Sequence, residues 1–218
     1  MTKLVLTKPT LIMLYGFPGA GKTYLANNLG TTIHAAHVNG DKIRYQLFET
    51  PRYDRAENEI VNHLMEYMTE EFLDAGVSVI FDTNVIKKGQ RRTLRDIARK
   101  KKAEHALVWL QIDPETAFAR VSQRDRRKLD DKHAQPLDRP LFDEVTSKMQ
   151  NPGHDEDYIV LSGKHSYPMQ RSAIVKKLYD LKLISPDNVS SNVVKPGLVN
   201  LVPTAGRVDL TRRNITIR

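Results

Sequence analysis

The sequence predicts an α/β fold of three layers, with a parallel five-stranded sheet between two layers of helices. Three observations predict it. Short apolar runs alternate with amphipathic stretches along most of the chain, the signature of strand–helix–strand units. The first apolar run leads into Gly16-Phe17-Pro18-Gly19-Ala20-Gly21-Lys22-Thr23, two glycines bracketing four residues and followed by Lys and Thr. The motifs at Gly16, Asp41 and Asp82 fall at the carboxyl ends of three predicted strands, where an open parallel sheet places its ligands.

The elements follow in order. Residues 11–15 (Leu-Ile-Met-Leu-Tyr) read as a buried first strand, and residues 23–29 start a helix. Residues 34–39 are a second strand, and a helix runs from 42 to 48 until Pro51 interrupts it. A long helix is predicted over 55–75, because Ile60, Leu64, Met68 and Phe72 recur every four residues with Val61 and Met65 beside them. Gly76 stops it. Residues 77–82 are apolar and β-branched, as buried parallel strands are. A helix with a basic outer face spans 90–102, a fourth strand spans 106–112, and Pro114 opens a helix to about 123. Residues 124–139 are highly charged. A helix at 141–149, a fifth strand at 158–161 and a last helix at 168–180 complete this domain, residues 1–181. Residues 182–218 hold six basic and two acidic residues. Residues 198–202, 207–210 and 215–217 read as short strands of a small basic C-terminal β extension.

The glycine-bracketed loop is a phosphate-binding motif. Its glycines let the backbone turn tightly and aim N–H groups at phosphate oxygens, and the helix behind it adds partial positive charge. Gly16, Pro18, Gly19, Ala20, Gly21, Lys22, Thr23 and Tyr24 are the candidate phosphate-binding residues. Lys22 is placed to reach the β- and γ-phosphates, and the Thr23 hydroxyl to bind Mg²⁺. ATP and Mg²⁺ are the expected cofactors. Asp82 ends the third strand, where an acid stands beside Mg²⁺ directly or through water; the plainer alternative is an Asp that caps the next turn. Asp41 opens the second helix, as a cap or as a general base taking a proton from an acceptor hydroxyl, and one side chain can do both. Arg44, three residues on, shares its face and suits an acceptor phosphate or carboxylate, or simply solvent. Arg120 and Arg124 lie one turn apart; with Arg126 and Arg127 they fit either a mobile lid over residues 124–139 or a solvated charge run. The histidines show no ligand spacing, and His34 and His37 are assigned no role.

Composition bounds the partners. The 218 residues carry a net charge of +8, 40% hydrophobic and 28% charged residues, and no cysteine. Disulfides and thiolate metal sites are excluded, and a reducing compartment, hence a cytoplasmic location, is expected. No apolar run approaches the roughly 20 residues of a membrane span. A basic balance suits anionic partners such as nucleic acid or phosphorylated metabolites, or is absorbed by nucleotide and solvent.

The phosphate loop, Asn39-Gly40-Asp41 with Arg44, Asp82-Thr83-Asn84, and Arg120 with Arg124 together resemble the P-loop kinase superfamily of the bacteriophage polynucleotide kinase, which includes small predicted kinases, zeta toxins and antibiotic phosphotransferases. The resemblance covers about residues 10–165. It implies a P-loop NTPase sandwich that moves the γ-phosphate of ATP to an acceptor hydroxyl. It also implies Lys22, Asp41 and Arg124 as catalytic residues, with Asp41 the base and Arg124 the lid arginine. Arg44, Thr83 and Asn84 fall on the acceptor side with Asp41, and Arg44 meets an acceptor phosphate. Gly40 stands where the phage enzyme has an arginine. A 5′-hydroxyl polynucleotide is the leading acceptor on charge and Arg44. A nucleoside, sugar or antibiotic is the alternative. A GTP switch is disfavoured, since no glycine follows three residues after Asp82 and no Asn-Lys-x-Asp occurs. A non-catalytic, RNA-associated nucleotide-binding protein is the third class, and it has no need of a base at Asp41.

Overall fold

The computed structural model describes residues 3–125, 127 and 131–184. Twelve elements follow one another among these residues: β1 (Thr10–Tyr15), α1 (Lys22–Thr32), β2 (Ala35–Asn39), α2 (Gly40–Leu47), α3 (Arg55–Asp74), β3 (Ser78–Asp82), α4 (Lys88–Lys100), β4 (Glu104–Gln111), α5 (Pro114–Ser122), α6 (Arg139–Ser147), β5 (Tyr158–Ser162) and α7 (Tyr167–Asp180). The strands form one five-stranded sheet in the order β2-β3-β1-β4-β5, with every pair parallel. The chain lays β2 two places from β1, returns to fill the gap with β3, then crosses to the other side of β1 for β4 and β5. Successive connections therefore diverge at β1, and this is where an open α/β sheet leaves a crevice at its carboxyl edge.

Alternation along the strands sorts the core into two layers. Ile12, Leu14, Ile80, Val108 and Leu110 pack against α1 and α7 through Leu25, Leu29, Ile174 and Leu178. Leu11, Met13, Tyr15, Val79, Phe81 and Leu107 pack against α3 and α4 through Val61, Met65, Leu73 and Leu94. Both faces being covered explains the near-continuous apolar strands.

Four details differ from the sequence expectation. The buried stripe of α3 is Val61, Met65, Thr69 and Leu73, while Ile60 is 51% exposed. Two adjoining stripes of α3 are apolar, and a helix lying on a sheet covers only one sector of its surface. Second, α2 begins at Gly40 with Asn39 as its N-cap, the Asn39 side chain accepting from the Lys42 amide at 2.7 Å. Asp41 is therefore not the cap, and its carboxylate lies in the first helical turn. Third, α6 starts at Arg139, because Asp138 caps it and Pro140 occupies its first turn. Fourth, Leu183 and Ile184 are buried in the α1–α7 layer, and the Leu183 carbonyl accepts from the Thr7 amide at 2.9 Å, so the chain is tied to the body up to residue 184. The expected β strands of the C-terminal extension, and Arg126, lie outside the described residues.

Candidate active site

The loop between β1 and α1 folds over the carboxyl end of the sheet. Gly19 has φ +85°, and a Cβ there would stand 2.2 Å from the Ala117 carbonyl oxygen of α5, so no other residue fits. Gly21, the N-cap of α1, also has a left-handed backbone, φ +97°. The loop wraps the Lys22 ammonium, which donates to the carbonyls of Gly16 and Phe17 at 2.9 Å each. Burial there pulls the Lys22 pKa down to about 8, against the pull of Asp82 and Asp41, and Arg124 adds to the lowering.

The loop floors a cleft of about 630 Å³. Pro18, Gly19, Ala20, Gly21, Lys22, Thr23, Tyr24, Asp41, Asp82, Thr83, Asn84, Arg120 and Arg124 all line it. Tyr24 is on the rim, 46% exposed. Gly16 lies behind the loop, its amide facing the Asn84 Oδ1 at 3.4 Å. Residues from four separate stretches of sequence thus converge on one cavity. The charges of Asp82 and Arg124 both act on Lys22 and on Asp41. Burial raises the Asp41 carboxyl from 3.8 to about 6, and the neighbouring Asp82 charge adds to it, while Arg124, Arg44 and Lys22 oppose the rise.

Asp82 is nearly inaccessible, and three side chains fix it. Its Oδ2 meets His37 Nε2 at 2.9 Å and accepts from Asn39 Nδ2 at 2.5 Å, and its Oδ1 accepts from the Thr23 hydroxyl at 3.3 Å. Thr23 and Asp82 bring two hard oxygen donors together at the base of the cleft, a set suited to Mg²⁺ completed by phosphate oxygens and water. No group of three or more His, Cys, Asp or Glu side chains among the described residues is placed to hold a metal by itself. His37, to which the sequence assigned no role, is thus part of this cluster; its partner lies 45 positions away and on another strand, out of reach of any local spacing rule.

The arginines divide. Arg120 donates to the Gly163 carbonyl at 2.9 Å, joining α5 to the loop after β5. Arg124 donates to the Gln135 carbonyl at 2.9 Å and lies 3.7 Å from Asp131, so the described part of the 124–139 segment lies along the cleft wall. Leu137 of this segment packs against Ala117 and Phe142, and His133 against the Tyr45 ring at 5.1 Å. Arg44 is not in the cleft wall. It is 6% exposed, donates to Glu57 at 3.0 Å and Asn58 at 2.5 Å, and lies 4.8 Å from the Tyr53 ring centroid. Asp41 thus faces the cleft while Arg44, one turn on, turns toward α3. Its anchor Glu57, which also accepts from the Arg52 and Tyr53 amides, was missed in the sequence, where it reads as an ordinary first-turn acid. Gly40 is buried, and a Cβ on it would come 2.9 Å from the Met65 sulfur and 3.5 Å from Thr83, so this chain has little room there for a longer side chain.

Fold and site together define a phosphate-loop protein of the kinase-like class. The chain belongs to the AAA_33 family, described as an AAA domain, whose model matches residues 11–152. Among solved structures it is similar to a sugar kinase from Janibacter sp. HTCC2649, at 17% identity and TM-score 0.57, over 84% of this chain and 99% of that one. Kti12 from Chaetomium thermophilum, solved with ADP-AlF3, aligns at 16% identity and TM-score 0.60, over 80% and 99% of the two chains. The APS kinase CysC of Mycobacterium tuberculosis, solved with AMPPNP and APS, aligns at 16% identity and TM-score 0.58, over 79% and 98%. At these identities the likeness is one of fold. Comparison with curated proteins finds no match. No helix among the described residues is long and apolar enough to cross a membrane.

Proposed function

We propose that the protein is an ATP-dependent phosphotransferase that moves the γ-phosphate to an acceptor hydroxyl. The observation that carries this reading is the Asp41 carboxyl, raised to about 6 by burial, in the wall of the cleft that the phosphate loop floors. A protein that only binds a nucleotide needs no half-buried carboxylate at that point, where its repulsion with Asp82 costs stability. At neutral pH Asp41 is ionised, yet basic enough to take the hydroxyl proton as the oxygen bonds to phosphorus. The loop amides and the α1 N-terminus hold the phosphates, and on nucleotide binding Lys22 exchanges its loop carbonyls for phosphate oxygens. Arg124 stands to neutralise charge on the transferring group. Thr23 and Asp82 would hold Mg²⁺, which when bound offsets charge on the β- and γ-phosphates.

The acceptor favoured is a small hydroxyl compound. The polynucleotide reading leaned on the net charge and on Arg44, and Arg44 is committed to Glu57 and Asn58 behind the wall. Solved proteins of like fold include a sugar kinase and a gluconokinase, which agrees with a small acceptor. The net charge of +8 keeps a 5′-hydroxyl oligonucleotide as the second reading. A screen with γ-labelled ATP against sugars, nucleosides, aminoglycosides and 5′-hydroxyl RNA and DNA tests this. Label in a small acceptor is the expected result. Label only in oligonucleotide establishes the second reading, and ATP binding with no label anywhere refutes both.

A further inference from the structure

We infer that His37 is a positioning residue that holds Asp82 for the Mg²⁺ it would share with Thr23, an inference that rests on the phosphotransferase reading. The Asp82 side chain is 2% exposed, so solvent does little to orient it. Both of the close contacts on Oδ2 come from one strand, His37 at 2.9 Å and Asn39 at 2.5 Å, whereas Oδ1 has Thr23 at 3.3 Å. A carboxylate gripped through one oxygen presents the other in a fixed direction, and the direction here is toward the phosphate-loop threonine. Partners of this kind, one bond behind a metal ligand, typically change metal affinity by about 10- to 100-fold when removed.

The strand geometry shows why two residues are needed. Asn39 lies directly opposite Asp82 in the β2–β3 register, and His37, two residues earlier, projects from the same face and reaches Asp82 along the diagonal. Asn39 is also engaged on its other side, its Oδ1 accepting from Lys42 to cap α2. That bond fixes which end of the amide faces Asp82, but it also ties Asn39 to the helix carrying Asp41. His37 has no second partner among the hydrogen bonds described, and its side chain is 25% exposed on the edge strand, so its geometry serves Asp82 alone. The donor is Nε2–H, since a carboxylate oxygen only accepts.

The test compares His37→Gln, which keeps a side-chain N–H donor, with His37→Met, which fills similar space without one, in the full-length chain. ATP affinity is measured by calorimetry in EDTA and across a Mg²⁺ titration, alongside thermal unfolding. The expected result is unchanged ATP affinity in EDTA for both variants, and a Mg²⁺ midpoint raised about 10-fold in His37→Met but within about threefold of wild type in His37→Gln. A purely structural role would lower the unfolding temperature without moving the midpoint. Equal midpoints in wild type, His37→Gln and His37→Met overturn the inference alone. A wild type whose ATP binding ignores Mg²⁺ overturns the phosphotransferase reading and this inference with it.

Discussion

Asp41→Asn is expected to make the protein more stable and catalytically silent at once. The wild-type carboxyl moves from 3.8 to about 6 on folding, chiefly through burial and then through repulsion by Asp82. Its folded pKa is raised, so its favourable contribution is fully present below about pH 4 and is lost as pH rises through about 6. At roughly 1.36 kcal/mol per tenfold, the ionised group weighs against the native state by up to about 3 kcal/mol above that pH. Asp41 is partly open to the cleft, and solvent screening reduces this to about 1–2 kcal/mol. Asn keeps the shape and has no charge, so the variant should gain that amount at pH 8, or about 3–6 °C in unfolding midpoint for a chain of this size. The gain should shrink as pH falls through about 6 and vanish only about a unit below the unfolded value of 3.8, where wild type is neutral in both states. Transfer should fall by about 10²-fold or more, with ATP affinity retained. Calorimetric unfolding at both pH values, paired with turnover, measures all of this. A variant that is less stable at pH 8 and turns over normally per folded molecule would show Asp41 to be only a favourable first-turn charge on α2.

Other expectations concern the groups around it. Lys22→Ala should abolish transfer without loss of fold, checked by turnover and unfolding, because the ammonium stabilises charge that develops on the phosphates. The free protein's Lys22 titrates at about 8, so ATP affinity should weaken above that pH as the charge is lost; a flat affinity up to about pH 9.5 contradicts this. Arg124→Ala should lower kcat more than ATP affinity, since its contact forms mainly in the reacting complex. Arg91 is fully buried and donates in bidentate fashion to Glu156 at 2.9 and 2.7 Å, while Arg95 reaches the same carboxylate at 2.7 Å, so Arg91→Met should cost about 1–3 kcal/mol in denaturant unfolding, with Arg95 still offsetting the Glu156 charge. Truncation after Ile184 should leave a folded, ATP-binding protein, whereas truncation after Asp180 should not, because it removes the buried Leu183 and Ile184.

What could be read from the sequence were local patterns. The phosphate loop, the five strands and the helices between them are set by residues close together in the chain, and all appear with ends shifted by a few residues. The shifts have local causes, such as Asn39 capping in place of Asp41 and Asp138 starting α6. The convergence of the phosphate loop, Asp41 and Asp82 on one cleft was legible because each stands at or just beyond a strand's carboxyl end, and parallel order brings those ends together, whereas Arg124, which follows α5, was placed there by its spacing from Arg120 and by the resemblance. His37 and Glu57 were not legible. Each acts through a partner set by register or by helix packing: His37 by the parallel pairing of β2 with β3, Glu57 by the way α2 lies on α3. The expected face of α3 held in part: Val61 and Met65 are buried and Met68 and Phe72 pack against that core, but Ile60 is exposed, since two apolar stripes of one helix differ only in what packs on them.

The central claim is that Asp41 is the base of a phosphoryl transfer in this cleft. Its most direct test is the pH dependence of transfer to whichever acceptor the label screen identifies, at saturating ATP and Mg²⁺, for wild type and Asp41→Asn side by side. A base at Asp41 predicts a wild-type rate that falls about tenfold per pH unit on an acid limb, and an Asp41→Asn residual rate with no such limb. An acid limb shared by both proteins, or none in wild type, would contradict it.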